Sequence, residues 1–281
     1  MVSPIIGSRA VARGELTRGQ LRWRYGAIHP DVYVEKTAER TLATNTAAAA
    51  LWIPGSIVAG RAAAAIHGVD WVDADTPIEL IGPSRRRREG VIVRAERIEA
   101  DETMRIGGLF VTTPARTGLD LARHLPRLEA LAHLDALASA RGVDPQAVLT
   151  LAARYRGARG VKHARRVIAE VDPGAQSPKE TWLRLVVTDA GFPRPRTQIR
   201  VSDGFSTAFI DMGWEGPRIG LEYDGEQHRS DRRQFVRDIG RHEMLNSLGW
   251  TIIRVVKEHS RAFIIQRVGE AFGRVAHARS P

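Results

Sequence analysis

The sequence contains no cysteine. Disulfides and thiolate-bound zinc are therefore excluded, and any site chemistry must use oxygen and nitrogen ligands. Long apolar runs are missing too. The longest candidate, residues 47–53, falls far short of a bilayer span. The N-terminus lacks the basic, apolar and small-residue order of a secretory signal. No Walker-type loop or dinucleotide fingerprint occurs, which argues against nucleotide-driven activity. There is no internal repeat and no low-complexity segment. Together these absences predict a cytoplasmic protein that does not engage a membrane.

What is present is an ordinary globular composition with an excess of positive charge. The 281 residues are 43% hydrophobic and 26% charged, enough for two modest domains. Lys and Arg total 42 against 32 Asp and Glu, a net charge of +10. Arg far outnumbers Lys, and a planar guanidinium can clamp phosphate oxygens in pairs. A GC-rich genome would also enrich Arg and Ala codons, so charge alone favours nucleic acid without deciding for it.

Along the chain, residues 8–13 suit a short helix. Thr17 stands three residues before Gln20 in a capping-box pattern that opens a second helix. Gly26 is expected to end it and residues 31–34 to form a strand. Trp23 reads as a core anchor, with DNA contact by Arg22, Trp23 and Arg24 as the other reading. Helices are expected at 41–51, 58–67, 114–124, 127–141, 145–155 and 160–171, and strands at 77–81, 91–94 and 107–111. Between the first two of these strands lie Arg85, Arg86, Arg87 and Arg88. They either grip phosphates from a hairpin tip or form a solvated charged turn. His67 and Asp120 lie near apolar faces and read as capping or core-satisfying groups. The run Asp172-Pro173-Gly174 marks the clearest boundary. After it the pattern reads α-β-β-β-α-β-α, with helices at 177–190, 232–248 and 262–276 and strands at 197–201, 207–212, 219–223 and 251–256.

The chemistry concentrates in this last segment. Asp211 ends an apolar run, and Glu222 and Asp224 sit two apart on the next strand, so they share a face. A hairpin through residues 214–218 would lay Asp211 beside Glu222. Clustered carboxylates repel one another, and a cation relieves the repulsion. Hard oxygen ligands favour Mg²⁺ or Mn²⁺, which can orient a water and offset charge on a phosphodiester. The bland reading is a hairpin that exposes its acids. Arg229, Arg232 and Arg233 follow the acids closely and suit substrate phosphate.

Ser177-x-x-Glu180, Asp211, Glu222-Tyr223-Asp224-Gly225-x-x-His228, Asp238-x-x-Arg241 and Gly249-Trp250-x-Ile252-x-Arg254 together resemble the Vsr-like group of PD-(D/E)xK endonuclease domains. The resemblance implies a restriction-endonuclease-like mixed sheet flanked by helices, with Asp211, Glu222 and Asp224 as metal ligands. It further implies Glu180 as a water-mediated ligand and His228 as acid, base or phosphate contact. Gln198 and Arg254 would line the site, and Asp238 would pair with Arg241. The superfamily's usual lysine is replaced here by Asp224, with Lys179 and Lys257 elsewhere. The cysteine-bound zinc of the mismatch endonucleases cannot form.

Earlier in the chain, Gly14-Glu15-Leu16-Thr17-Arg18-Gly19-Gln20-Leu21, Asp31-Val32-Tyr33-Val34, the Ala-rich stretch Ala59–Gly68 and Thr112-Thr113-Pro114-Ala115-Arg116-Thr117-Gly118-Leu119-Asp120-Leu121-Ala122 are similar to AbiEi-type antitoxins. That resemblance implies promoter binding through a winged helix. The expected plan is an α/β protein in three parts: a short winged-helix-like unit (1–37), an AbiEi-like α/β and helical body (38–172) and a Vsr-like nuclease domain (173–281). The expected function is metal-dependent DNA cleavage in defence, repair or mobile-element control. The alternative is an AbiEi-like antitoxin and transcriptional regulator with an inactive nuclease fold; a third possibility is RNA cleavage. Expected partners are DNA and a cognate toxin or repair protein.

Overall fold

The computed structural model describes residues 3–83, 88–225 and 232–279, with the side chains of 232–237 and 278–279 left aside. It divides into two compact units, Met1–Val171 and Asp172–Pro281. The whole is a mixed α/β structure with three sheets. Among the described residues no helix is long and apolar enough to cross a membrane.

The first unit opens with β1 (Ile5–Ile6), α1 (Gly7–Ala12), α2 (Arg18–Arg24), β2 (Tyr25–His29) and β3 (Val32–Glu35). The capping box forms: the Thr17 hydroxyl accepts from the Gln20 amide at 3.1 Å, and the Gln20 side chain accepts from the Thr17 amide at 2.8 Å. The strands pair in the order β1-β3-β2. Tyr25 and Gly26 belong to β2, so the helix ends before Gly26.

Next come α3 (Leu42–Trp52), β4 (Ile57–Ala59), α4 (Gly60–Ile66), β5 (Ile78–Ile81), β6 (Val91–Arg94), β7 (Thr103–Ile106), β8 (Leu109–Thr112), α5 (Pro114–His124), α6 (Arg127–Arg141), α7 (Pro145–Arg154) and α8 (Val161–Ile168). The sheet order is β6-β5-β4-β8-β7. The helix expected at 58–67 is thus a strand followed by a helix. The β-branched pair Ile57-Val58 docks between β5 and β8, and Gly60 turns the chain at φ +56. A Cβ at Gly60 would sit 2.2 Å from a carboxylate oxygen of Glu79, so only glycine fits. Strands β5 and β6 are parallel, which removes the hairpin expected around Arg85–Arg88. The apolar core joins Ile28, Val32 and Val34 to Trp52, Val58, Leu80 and Val111.

One guanidinium ties the body together. Arg116 of α5 has a side chain with 0% exposure. Its Nε donates to Asp120 Oδ1 at 3.0 Å. Its Nη1 donates to Glu102 Oε2 at 2.5 Å, to the Tyr155 hydroxyl at 2.8 Å and to the Arg97 carbonyl at 3.1 Å. Glu96 lies 3.4 Å from Nη2.

The second unit runs α9 (Pro178–Asp189), β9 (Arg196–Ser202), β10 (Thr207–Trp214), β11 (Ile219–Tyr223), α10 (Arg232–Ser247), β12 (Thr251–Val255) and α11 (Arg261–Arg279). Its sheet order is β12-β11-β10-β9. The first three strands form an antiparallel meander, and β12 adds parallel to β11 through the α10 crossover. Leu183, Val187, Ile264 and Val268 of α9 and α11 pack with Met212, Leu221 and Ile253. Ile199, Ile210, Met244, Leu245 and Trp250 form a separate core that includes α10. Ile210 and Met212 should share a face on a regular strand, yet they lie in different cores. The irregularity falls on Asp211, opposite Gln198 with its φ of +49.

Replacing Arg116 with Ala removes one cationic partner from each of three buried or half-buried acids at once. We expect Arg116→Ala to lose about 3–5 kcal/mol in urea unfolding, whereas a loss under about 1 kcal/mol would show that the network contributes little.

Candidate nucleic-acid interface and carboxylate cluster

In the first unit, α2 is held by its capping box and buries no residue. Trp23 is 81% exposed, and Arg18, Arg22 and Arg24 are exposed around it. The core-anchor reading of Trp23 is therefore wrong. Leu21 supplies the inward contact, packing close over Gly7. Two residues on, Trp23 points roughly 200° around the helix and so away from the unit. Arg24 makes only an exposed pair with Glu35 at 3.6 Å. The result is an exposed aromatic flanked by guanidinium groups, a chemistry suited to phosphate and base contact.

Of the arginine run, Arg85, Arg86 and Arg87 lie outside the described residues. Arg88 lines a cavity of about 520 Å³ with His29, Arg40, Asn45 and Asp75. His29 stacks on Trp52 with ring centroids 4.9 Å apart. Burial, helped by Arg88 and Arg40, pushes His29 down to about 4, so it is neutral near pH 7.

In the second unit the carboxylates are distributed unevenly. Met212 pairs with Leu221, so Asp211 and Glu222 are the next opposed positions. There the ladder gives way: Asp211 Oδ2 accepts from the Tyr223 amide at 3.0 Å. Glu180, three residues past the Ser177 cap of α9, accepts from the Gln176 amide at 2.9 Å and the Ser177 hydroxyl at 3.0 Å. Burial raises its pKa. Burial, then the charges of Glu180 and Glu222, push Asp211 up to about 7 against the pull of the Tyr223 amide and Arg241.

Glu222 has a cation already. Both Arg241 guanidinium ends bond its carboxylate, and Arg241 also donates to the Phe209 carbonyl at 2.6 Å. The expected Asp238–Arg241 pair is replaced by this one, because α10 faces the side of β11 that carries Glu222. Arg254, its neighbour on β12, approaches to 3.9 Å. Asp224 lies just past β11, where its amide continues the bonding to the Val255 carbonyl at 2.8 Å. Gln198 lies opposite Asp211 on β9. His228 and Arg229 fall outside the described residues; Arg232 and Arg233 begin α10, with their side chains left aside.

Asp211 and Glu180 offer oxygens suited to a hard cation, while Glu222 is neutralised by Arg241. The described residues hold one group of three acid or imidazole side chains with ligand atoms within 4.8 Å of one another, and it lies in the first unit: Glu96, Asp120 and His124.

Residues 48–170, most of the body built around Arg116, match the family described as the AbiEi antitoxin C-terminal domain. Two proteins of Mycobacterium tuberculosis are also similar: uncharacterized protein MT2308 of strain CDC 1551 / Oshkosh and uncharacterized protein Rv2248 of strain ATCC 25618 / H37Rv. Each is 31% identical over 200 residues, which covers 71% of this chain and 73% of the relative. The chain belongs to the family of these two proteins. The match to the AbiEi antitoxin C-terminal domain takes in α4 to α8 and the whole of the five-stranded sheet.

The raised pKa of Asp211 has a consequence for stability. Unfolded, the group ionises near 3.8; folded, near 7. Between these values the folded chain holds a proton that the unfolded chain has lost, so stability falls as pH rises. Asp211→Asn should gain roughly 1–4 kcal/mol over wild type at pH 8 and much less at pH 4. Urea titrations of both proteins at the two pH values measure this, and a pH-independent difference would contradict it.

Proposed function

We propose that the protein is an AbiEi-type antitoxin that binds DNA and regulates transcription, with a cognate toxin as its second partner. The AbiEi antitoxin C-terminal domain match over residues 48–170 carries the reading. The element before that domain supports it. Two short helices and a three-stranded sheet present α2 with its basic, solvent-facing surface, in the manner of a short winged helix. The charge of +10 suits attraction to a duplex. The Glu222–Arg241 pair is also consistent with this reading, since a neutralised acid has less need of a metal ion.

The second reading is the Mg²⁺- or Mn²⁺-dependent endonuclease. One observation favours it: Asp211, beside Glu180 and Glu222, is held near 7, a repulsion that a divalent ion would relieve. Under that reading Asp211, Glu222 and Asp224 would hold the ion, and Arg241 would have to release Glu222.

The test uses duplexes from the DNA upstream of the chain's own gene. Because both side chains are exposed, Arg22→Ala with Arg24→Ala should leave the fold intact. The pair should weaken binding by roughly tenfold or more and reduce the salt slope by about 2. Trp23→Ala should weaken it further. Unchanged affinity in the triple variant would remove α2 from the interface. For the second reading, plasmid incubated with Mg²⁺, Mn²⁺ or EDTA should remain uncut; metal-dependent cutting lost in Asp211→Ala would overturn the regulator reading in favour of the nuclease.

A further inference from the structure

In the first unit, away from α2, lies a polar cluster that neither reading uses. Arg123 Nη1 donates to Glu96 Oε2 at 2.6 Å, and Arg116 lies on the same oxygen at 3.4 Å. Asp120 Oδ1 accepts from Arg116 Nε at 3.0 Å, with Arg123 at 3.6 Å. Each carboxylate therefore has one oxygen held by arginine. Glu96 Oε1 is left facing His124 Nε2 at 3.0 Å. Asp120 Oδ2 is left with no hydrogen bond although its residue is 3% exposed. The imidazole Nε2, also buried, is without an aligned hydrogen bond.

We infer that Glu96, Asp120 and His124 form a divalent-metal site, taking Zn²⁺ or Mn²⁺ through one imidazole nitrogen and two carboxylate oxygens. The ligand atoms already lie within 4.8 Å of one another, close enough to converge on one ion with small adjustments. One nitrogen and two hard oxygens suit these ions. Arg116 and Arg123 act as the outer groups that orient the ligating carboxylates by fixing their other oxygens. The two arginines hold one oxygen each of Glu96 and Asp120, and Glu102 beside them is shared between Arg116 and Arg154.

A plain imidazolium–carboxylate pair between His124 and Glu96 explains only part of the arrangement. It leaves Asp120 Oδ2 buried and unmatched, a costly state for a carboxylate. A bound ion would complete both acids. It would also tie the segment after β6, which carries Glu96, to the C-terminal turns of α5, stiffening the AbiEi-type domain.

The full chain, stripped with chelator and dialysed, should bind one equivalent of Zn²⁺ or Mn²⁺ at this site. Its Tm should rise by roughly 5–10 °C at about a hundredfold excess over Kd. Bound Co²⁺ should give a visible absorption band. His124→Gln should abolish both signals while keeping the wild-type circular dichroism; Asp120→Asn keeps an oxygen for Arg116 and should do the same. Asp211→Asn should retain both, which separates this site from the second unit's acids. No shift with Zn²⁺, Mn²⁺ or Co²⁺, or a shift that survives His124→Gln, would overturn the assignment.

Discussion

The first unit depends on the burial of a single positive charge. A guanidinium without solvent is tolerable only when acids and carbonyls surround it, and Arg116 has Asp120, Glu102, Glu96, Tyr155 and the Arg97 carbonyl. These partners come from α5 itself, from the segment between β6 and β7, and from the end of α7. Satisfying one side chain therefore fixes three parts of the domain at once. Around the same helix, the Thr112 carbonyl accepts from the Thr117 hydroxyl at 3.3 Å and lies 2.8 Å from His67 Nε2. Strand β8 is thereby joined to α4 as well as to α5. The AbiEi-type match ends just after α8, the last helix packed on α5.

The second unit also buries an arginine, Arg184 of α9, but its difficulty is a set of close acids. Nature has two remedies for close carboxylates: a proton or a positive partner. Asp211, pushed up to about 7, binds a proton more readily, and Glu222 takes the second remedy in the form of Arg241.

Much of the local structure was legible in the sequence because caps and breakers state it directly. Thr17 opens the helix expected from it, and Thr113, Asp144 and Ser177 cap helices expected at those places. In the second unit the order of elements followed the pattern of apolar runs. Where reading failed, pairing in space decided. Val58 and Ala59 looked helical in an Ala-rich stretch but belong to β4, which fills a gap between strands. β5 and β6 alternate like a hairpin yet run parallel. Trp23 looked like core because tryptophan usually is; only its position on the helix opposite Leu21 shows otherwise. Arg241 was assigned to Asp238 by helical spacing, and the sheet supplied a closer acid. For the Arg116 hub the one available signal was Arg116 and Asp120 four apart on an apolar helix.

The central claim is that this chain recognises DNA as a regulator through its N-terminal element. DNase footprinting of the full chain on its own upstream region, in EDTA and at physiological salt, tests it most directly. The account predicts a discrete protected stretch on intact DNA, abolished when Arg22, Trp23 and Arg24 are replaced together. Uniform protection without sequence preference, or a footprint that persists in that variant, would contradict it.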